Sequence, residues 1–246
     1  MEIFTDYSLG KKLNFHYLNA KPFPNVVIDN FINPTAAMWC FKELKESNLW
    51  ATENTINNPF MTDNQVNKWF CPWDPESVEI MKFRVPTVYT VLQYLNSEIF
   101  LQFLKDLTGI NNLIPDPHFL GGGCHKIQKG GKLNLHVDYN VNKVTKKFRV
   151  LNLLLYLNPD WEDSWNGHLE LWNRKEKKRE HLIAPIMNRA VIFNLSDESV
   201  HGHPVPLECP EGFERYSFAL YYFVDEPNQE YYERQNVRWH NELQTH

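Results

Sequence analysis

His136-Val137-Asp138 is the short pattern in this chain with the most chemistry in it. On a β-strand, residues i and i+2 point to the same face. The pattern therefore aims an imidazole and a carboxylate at one point. A second imidazole there would complete two histidines and one carboxylate on one face of a metal ion, the arrangement that suits non-haem Fe(II) and leaves positions open. The stretch Ser199-Val200-His201-Gly202-His203-Pro204 supplies two histidines of equal parity, and either can face the same point. It follows the apolar strand Ala190-Val191-Ile192-Phe193. An isolated H-x-D arises readily by chance and then decorates a surface strand, so the weight comes from the combination. Arg215 adds to it by opening the last apolar strand. A planar guanidinium can hold a carboxylate through two parallel hydrogen bonds. On the inward face of a barrel its charge is costly unless an anion meets it. Ser217 shares its parity and can donate a further hydrogen bond. The competing reading of Arg215 is a strand-mouth residue paired with Glu214.

These residues need a scaffold of strands, and the sequence provides one. From Leu120 onward, short apolar runs recur with turns between them: Gly122–Gln128, Leu133–Asp138, Phe148–Leu157, His168–Asn173, Arg179–Ile183, Ala190–Asn194, a piece near Pro204, and Arg215–Val224. Gly130-Gly131 reads as a hairpin turn. About eight short strands predict a jelly roll or related double-sheet barrel. The N-terminal half is helical. Asn33 caps a helix with Pro34 at its first position, and Ala37, Phe41 and Leu44 follow at helical spacing. Val88, Val91, Leu92 and Leu95 form a stripe on a second helix. Asn96-Ser97-Glu98 breaks it and caps a third, which Gly109 stops. The stretch Asn54 to Asp74 reads as loop, pinned by Trp69, Phe70 and Trp73. No linker separates the halves. The chain is expected to be one domain over 1–246: a helical buttress and lead-in (1–117), a jelly-roll core (118–224) and a C-terminal tail (225–246). The fold class is mainly β (α+β), a double-stranded β-helix with N-terminal helices packed on one sheet.

Composition fits this. The chain has 246 residues, 43% of them hydrophobic and 14% aromatic, enough for a substantial core. The formal net charge of -5 gives no global support to nucleic-acid binding. No apolar run is long enough to span a membrane, and no secretory signal is visible at the start. The four cysteines, Cys40, Cys71, Cys124 and Cys209, form no C-x-x-C pair, so no structural zinc site is suggested. The expected compartment is the cytoplasm, with reduced thiols. Two basic clusters stand out. Arg174 to Arg179 reads as a solvated hairpin tip. Lys143, Lys146, Lys147 and Arg149 flank a loop after the H-x-D strand, where they would meet an acidic substrate or solvent.

Residues 118–224 resemble the iron(II)/2-oxoglutarate-dependent dioxygenases, in the prolyl 4-hydroxylase-like branch. The resemblance rests on Gly121-Gly122-Gly123-Cys124-His125-Lys126-Ile127, His136-Val137-Asp138, Asn152 to Asn158, Gly167-His168-Leu169-Glu170-Leu171-Trp172, His201-Gly202-His203-Pro204 and Arg215-Tyr216-Ser217. It implies Fe(II) ligands His136, Asp138 and His201, with His201 favoured over His203. It implies that Arg215 binds the distal carboxylate of 2-oxoglutarate with help from Tyr156. Asn152 shares the strand parity of Tyr156, which would bring it too into the interior. His125 stands where related enzymes often carry a tyrosine, which leaves its role open. The carboxylate at Asp138 argues against the halogenases of this group, which have a small residue there. The activity implied is hydroxylation of an unactivated C–H bond, with a prolyl residue among the candidate substrates, using O2 and releasing succinate and CO2. Ascorbate is a candidate reductant. The partner expected is a peptide or small-molecule substrate. The competing readings are a 2-oxoglutarate hydroxylase of a small molecule, a non-catalytic cupin-like metal- or ligand-binding module, and a cupin-type isomerase or hydrolase. The last of these leaves Arg215 and Tyr156 without a task.

Overall fold

The computed structural model describes residues 2–4, 6–47, 50, 63–70, 75–116, 118–119, 122–226 and 236–243. Trp73, most of the Asn54–Asp74 stretch and part of the tail lie outside them. Five helices are described: α1 (Leu9–Asn19), α2 (Pro34–Glu46), α3 (Pro75–Arg84), α4 (Pro86–Leu95) and α5 (Glu98–Thr108). The strands are β1 (Asn25–Ile28), β2 (Gln65–Phe70), β3 (Gly123–Val137), β4 (Phe148–Tyr156), β5 (Leu169–Asn173), β6 (Lys178–Ile183), β7 (Arg189–Asn194), β8 (Val200–His203), β9 (Arg215–Val224) and β10 (Arg238–Trp239).

The helix boundaries follow their caps. The Asn33 side chain accepts hydrogen bonds from the amides of Thr35 (2.9 Å) and Ala36 (3.3 Å), and Pro34 starts α2. Ser97 caps α5 through the Phe100 amide, and Gly109 ends it at φ 75°, a left-handed conformation that costs glycine little. The stripe Val88, Val91, Leu92 and Leu95 is fully buried.

The strands form one curled antiparallel sheet in the order β1-β7-β4-β9-β3-β8-β5-β6, with β2 and β10 also on β3. Alternation divides its two faces. Leu151, Leu153 and Leu155 of β4 and Phe218, Leu220 and Tyr222 of β9 pack into the large apolar cluster that also holds the buried faces of α2, α4 and α5. Their neighbours of opposite parity, Asn152, Leu154, Tyr156, Arg215, Ser217, Ala219 and Tyr221, line a cavity inside the curl. This is the double-stranded β-helix with helices on one sheet that the sequence predicts.

Two local expectations change. Gly130-Gly131 is not a hairpin turn: β3 runs unbroken from Gly123 to Val137. Its first half pairs with β9 and its second half with β8. Gly130 takes a positive φ of 74°, and Leu207 closes both glycines through Gly130 N–H to its carbonyl and its own N–H to Gly131 O. The glycines bend one strand between two partners. The second change is β2, where a loop was expected. Gln65–Phe70 pairs along both halves of β3, and Trp69 donates its indole N–H to Gln128 at 3.0 Å. The helices α1 and α3 were not legible, because neither carries a clean apolar stripe.

Asn158 ties the end of β4 to β9. Its amide donates to Pro185 O (2.6 Å) and Tyr216 O (3.1 Å), and its carbonyl accepts from Tyr216 N (2.7 Å). Asn158→Ala leaves these buried backbone groups unsatisfied and is expected to destabilise the fold by roughly 2–3 kcal/mol. Urea denaturation checks this.

Candidate metal and cosubstrate site

The cavity gathers all eight residues singled out from the sequence: His136, Asp138, His201, Arg215, Tyr156, Ser217, Asn152 and His125. Antiparallel register explains why. Tyr156 stands opposite Ser217, which stands opposite His125. His136 stands opposite His201 on β8. Residues far apart in sequence thus share rows on one face.

One potential ligand atom each from His136, Asp138 and His201 lies within 4.8 Å of the other two, and all three residues are buried. His136 Nε2 is 3.4 Å from Asp138 Oδ1, and His201 Nε2 is 3.4 Å from Asp138 Oδ2. The other ring nitrogens fix the tautomers. His136 Nδ1 sits 2.8 Å from Asn134 O and His201 Nδ1 2.9 Å from Ser199 O. A carbonyl only accepts, so each Nδ1 carries the proton and each Nε2 presents a lone pair to the other members of the cluster. That is the state a metal ligand needs. Burial, and then the neighbouring His201, lower the His136 pKa and keep the ring neutral. Trp239 of β10, from the expected tail, packs against His136 with ring centroids 5.3 Å apart and the planes tilted by 49°.

Gly202 makes this approach possible. A Cβ there would lie 2.8 Å from both Leu133 O and Asn134 O. Gly202→Ala must push β8 off β3 and carry His201 away from its partners. We expect at least a tenfold loss of Mn(II) affinity, measured by titration.

Asp138 is the best-supported member of the cluster. Arg149 Nη2 donates to its Oδ2 at 2.8 Å, and Asn152 Nδ2 donates to the same oxygen at 2.9 Å. Arg149 Nε in turn donates to Asn152 Oδ1 at 2.8 Å. The guanidinium is only 1% exposed and lies 3.2 Å from the Tyr221 ring centroid. So Arg149 does not extend the exposed basic loop, as expected from the sequence; it is a buried counter-ion. A β-bulge explains the error. The register shifts between Arg149 and Leu151, which brings Arg149 inward beside Asn152 although their spacing of three residues would separate them on a regular strand.

Burial works against charge on Asp138, but the Arg149 guanidinium beside it favours the ionised form, and its pKa lies well below the ordinary 3.8. A depressed folded-state value contributes stability that is present above the unfolded value and is lost as pH falls through the folded one. Below about pH 4, the stability of the metal-free protein is expected to fall more steeply than that of Asp138→Asn. Urea denaturation across pH 3 to 5 reads the difference.

Arg215 lines the same cavity at 4% exposure. Its Nε donates to Gly167 O at 2.8 Å, and its guanidinium lies 4.7 Å from the Tyr156 ring centroid. Gly167 has φ 73°, and a Cβ there would meet Leu207 at 2.3 Å. Glu214 does not neutralise Arg215. It faces Lys126 at 3.3 Å and bonds with Gln128 and Tyr216. Among the described residues no carboxylate pairs with Arg215, and the buried Tyr156 hydroxyl has no hydrogen-bond partner. A buried cation and a buried hydroxyl left open in one cavity fit the distal carboxylate of a keto-diacid. The triad, with two free Nε2 lone pairs and an ionised carboxylate, fits Fe(II). The residues present therefore suit both groups.

Two further lining residues were missed. Lys68 of β2 enters the cavity; burial lowers its pKa to about 8, partly opposed by Asp138, so it stays an ammonium at neutral pH. His203, left open in the sequence reading, is buried and also lines the cavity, outside the metal-ligating cluster. His168 instead bonds Asp163 at 3.1 Å.

Residues 122–223 match the 2OG-Fe(II) oxygenase superfamily. That segment contains the triad, Tyr156 and Arg215, so the part of the chain similar to this superfamily is the part that builds the cavity. The fold is similar to a prolyl hydroxylase from Trichoplax adhaerens, solved with a hypoxia-inducible-factor peptide fragment (20% identity, 89% of this chain and 90% of that chain, TM-score 0.54). It is similar to a prolyl 4-hydroxylase from Phytophthora capsici (23% identity, 92% and 68%, TM-score 0.58). It is also similar to HygX from Streptomyces hygroscopicus, solved with nickel, 2-oxoglutarate and hygromycin B (11% identity, 91% and 96%, TM-score 0.54). No curated protein sequence matches the chain. Among the described residues no helix is long and apolar enough to cross a membrane.

Proposed function

We propose that the chain, acting as one domain, hydroxylates an unactivated C–H bond on a peptide or small molecule, with a prolyl ring as the leading candidate. In this reading His136 Nε2, Asp138 Oδ1 and His201 Nε2 hold Fe(II), while Arg149 and Asn152 keep Asp138 Oδ2 occupied. Arg215, Tyr156 and Ser217 hold the distal carboxylate of 2-oxoglutarate, and His125 flanks it. The metal, with 2-oxoglutarate and O2, supplies the oxidation and releases succinate and CO2. The protein's share is placement. The cation and the triad fix the cosubstrate between them, and the buried walls exclude bulk water. The prolyl assignment draws on the prolyl hydroxylases among the similar folds; HygX, with hygromycin B bound, keeps a small-molecule acceptor in view. Ascorbate would serve as reductant, and the cytoplasm as compartment.

The observation that carries the reading is the buried, carboxylate-free Arg215 in the same cavity as the triad. Incubation with Fe(II), 2-oxoglutarate, O2 and ascorbate tests it. Succinate above background is expected from the native chain and none from Asp138→Ala. Equal succinate from both, or none from either, contradicts it.

A further inference from the structure

One cation in the cavity has no task in this reading. Lys68 stands opposite Ile127 in the β2–β3 pairing, and Ile127 stands opposite Arg215 in the β3–β9 pairing. The three share one row, so Lys68 and Arg215 project from the same face of the sheet. Among the described residues the Lys68 ammonium makes no hydrogen bond or ion pair. Arg149 is committed to Asp138 and Asn152, and Arg215 is anchored on Gly167. His203 lines the same space: it is 3% exposed and neither ring nitrogen has a partner. An imidazole offers at least one N–H donor.

Charge counting gives the same answer. The lining holds Lys68, Arg149 and Arg215 against the single carboxylate of Asp138. Arg149 cancels Asp138. A dianionic cosubstrate set against a divalent metal and Arg215 leaves one positive charge over, and Lys68 adds a second. A half-buried ammonium that shares a cavity with other cations and has no counter-charge is unfavourable, and an anion beside it removes the cost.

We propose that Lys68 and His203 form an anion subsite on the β2 side of the cavity, taking a carboxylate or phosphate group. The inference rests on the oxygenase reading for the source of that anion, though not for its charge. The source is either an acidic group on the substrate or the cosubstrate itself.

Anaerobic titration calorimetry on the Mn(II)-loaded chain separates the cases. 2-Oxoglutarate is titrated first. Methyl phosphate is then titrated into protein saturated with 2-oxoglutarate. Native protein is compared with Lys68→Met and with Lys68→Arg, which keeps the charge. If Lys68 grips an acidic group on the substrate, methyl phosphate binds the native and Lys68→Arg proteins. Lys68→Met then loses at least tenfold in that affinity and keeps its 2-oxoglutarate affinity within twofold. If Lys68 grips the cosubstrate, Lys68→Met loses at least fivefold for 2-oxoglutarate and Lys68→Arg recovers it. Lys68→Met that equals the native protein in both titrations overturns the subsite. Native protein that binds methyl phosphate through Lys68 but no 2-oxoglutarate overturns the oxygenase reading and leaves the subsite standing.

Discussion

Arg149→Met is expected to destabilise the metal-free protein by roughly 3–5 kcal/mol, the usual cost of removing one partner of a buried ion pair. The size follows from what remains. Asp138 would keep its burial and lose its strongest counter-charge, and Asn152 would lose the Nε donor that orients it. The carboxylate would respond by taking up a proton nearer neutral pH, and a protonated carboxyl is a poor metal ligand. The loss of Mn(II) affinity should therefore be at least tenfold and should shrink as pH rises. Arg149→Lys should recover only part of it, because one ammonium cannot serve both Asp138 and Asn152 with the geometry of the guanidinium fork. Urea denaturation and Mn(II) titration at two pH values measure these effects. A variant as stable as the native chain, with unchanged metal affinity, would show that Arg149 does not support the ligand.

Arg215→Met should behave in the opposite way in the metal-free state. Arg215 is buried with no carboxylate beside it among the described residues, and burial lowers its pKa. Removing it ends an uncompensated charge at the cost of one hydrogen bond to Gly167 O. The metal-free variant should be as stable as the native chain or more so, by about 1–2 kcal/mol. Binding of 2-oxoglutarate should nevertheless fall by roughly 100-fold, since truncating one partner of a buried charge pair costs about 2–5 kcal/mol in affinity. The affinity for 2-oxobutanoate, which lacks the distal carboxylate, should change little. Two buried arginines in one cavity thus have opposite effects on stability because one has its anion built in and the other awaits it. If Arg215→Met destabilises the metal-free protein as much as Arg149→Met does, Arg215 is structural.

Much of the cavity lining was legible in the sequence. The strand parities of His136 with Asp138, and of Arg215 with Ser217, needed only local alternation, and alternation survived folding. The capped helices were legible for the same reason: Asn33-Pro34 and Ser97 act on amides one turn away. What escaped was set by pairing between strands. Gly130-Gly131 looks the same in a hairpin and in a bent strand, and only the two partners of β3 distinguish them. Lys68 lies in a stretch that reads as polar loop, and its inward direction comes from its register with Ile127. Arg149 was hidden by a bulge that reverses its face. His203 shares the parity of His201, and no local rule says which histidine meets Asp138. The register with β3 does, by setting His201 opposite His136.

A crystal structure of the chain with Mn(II) and 2-oxoglutarate tests the central claim most directly. The account predicts the ion on His136 Nε2, Asp138 Oδ1 and His201 Nε2, with the far carboxylate of the keto-diacid on the Arg215 guanidinium and the Tyr156 hydroxyl. An ion bound elsewhere, or a keto-diacid that leaves Arg215 without contact, would contradict it.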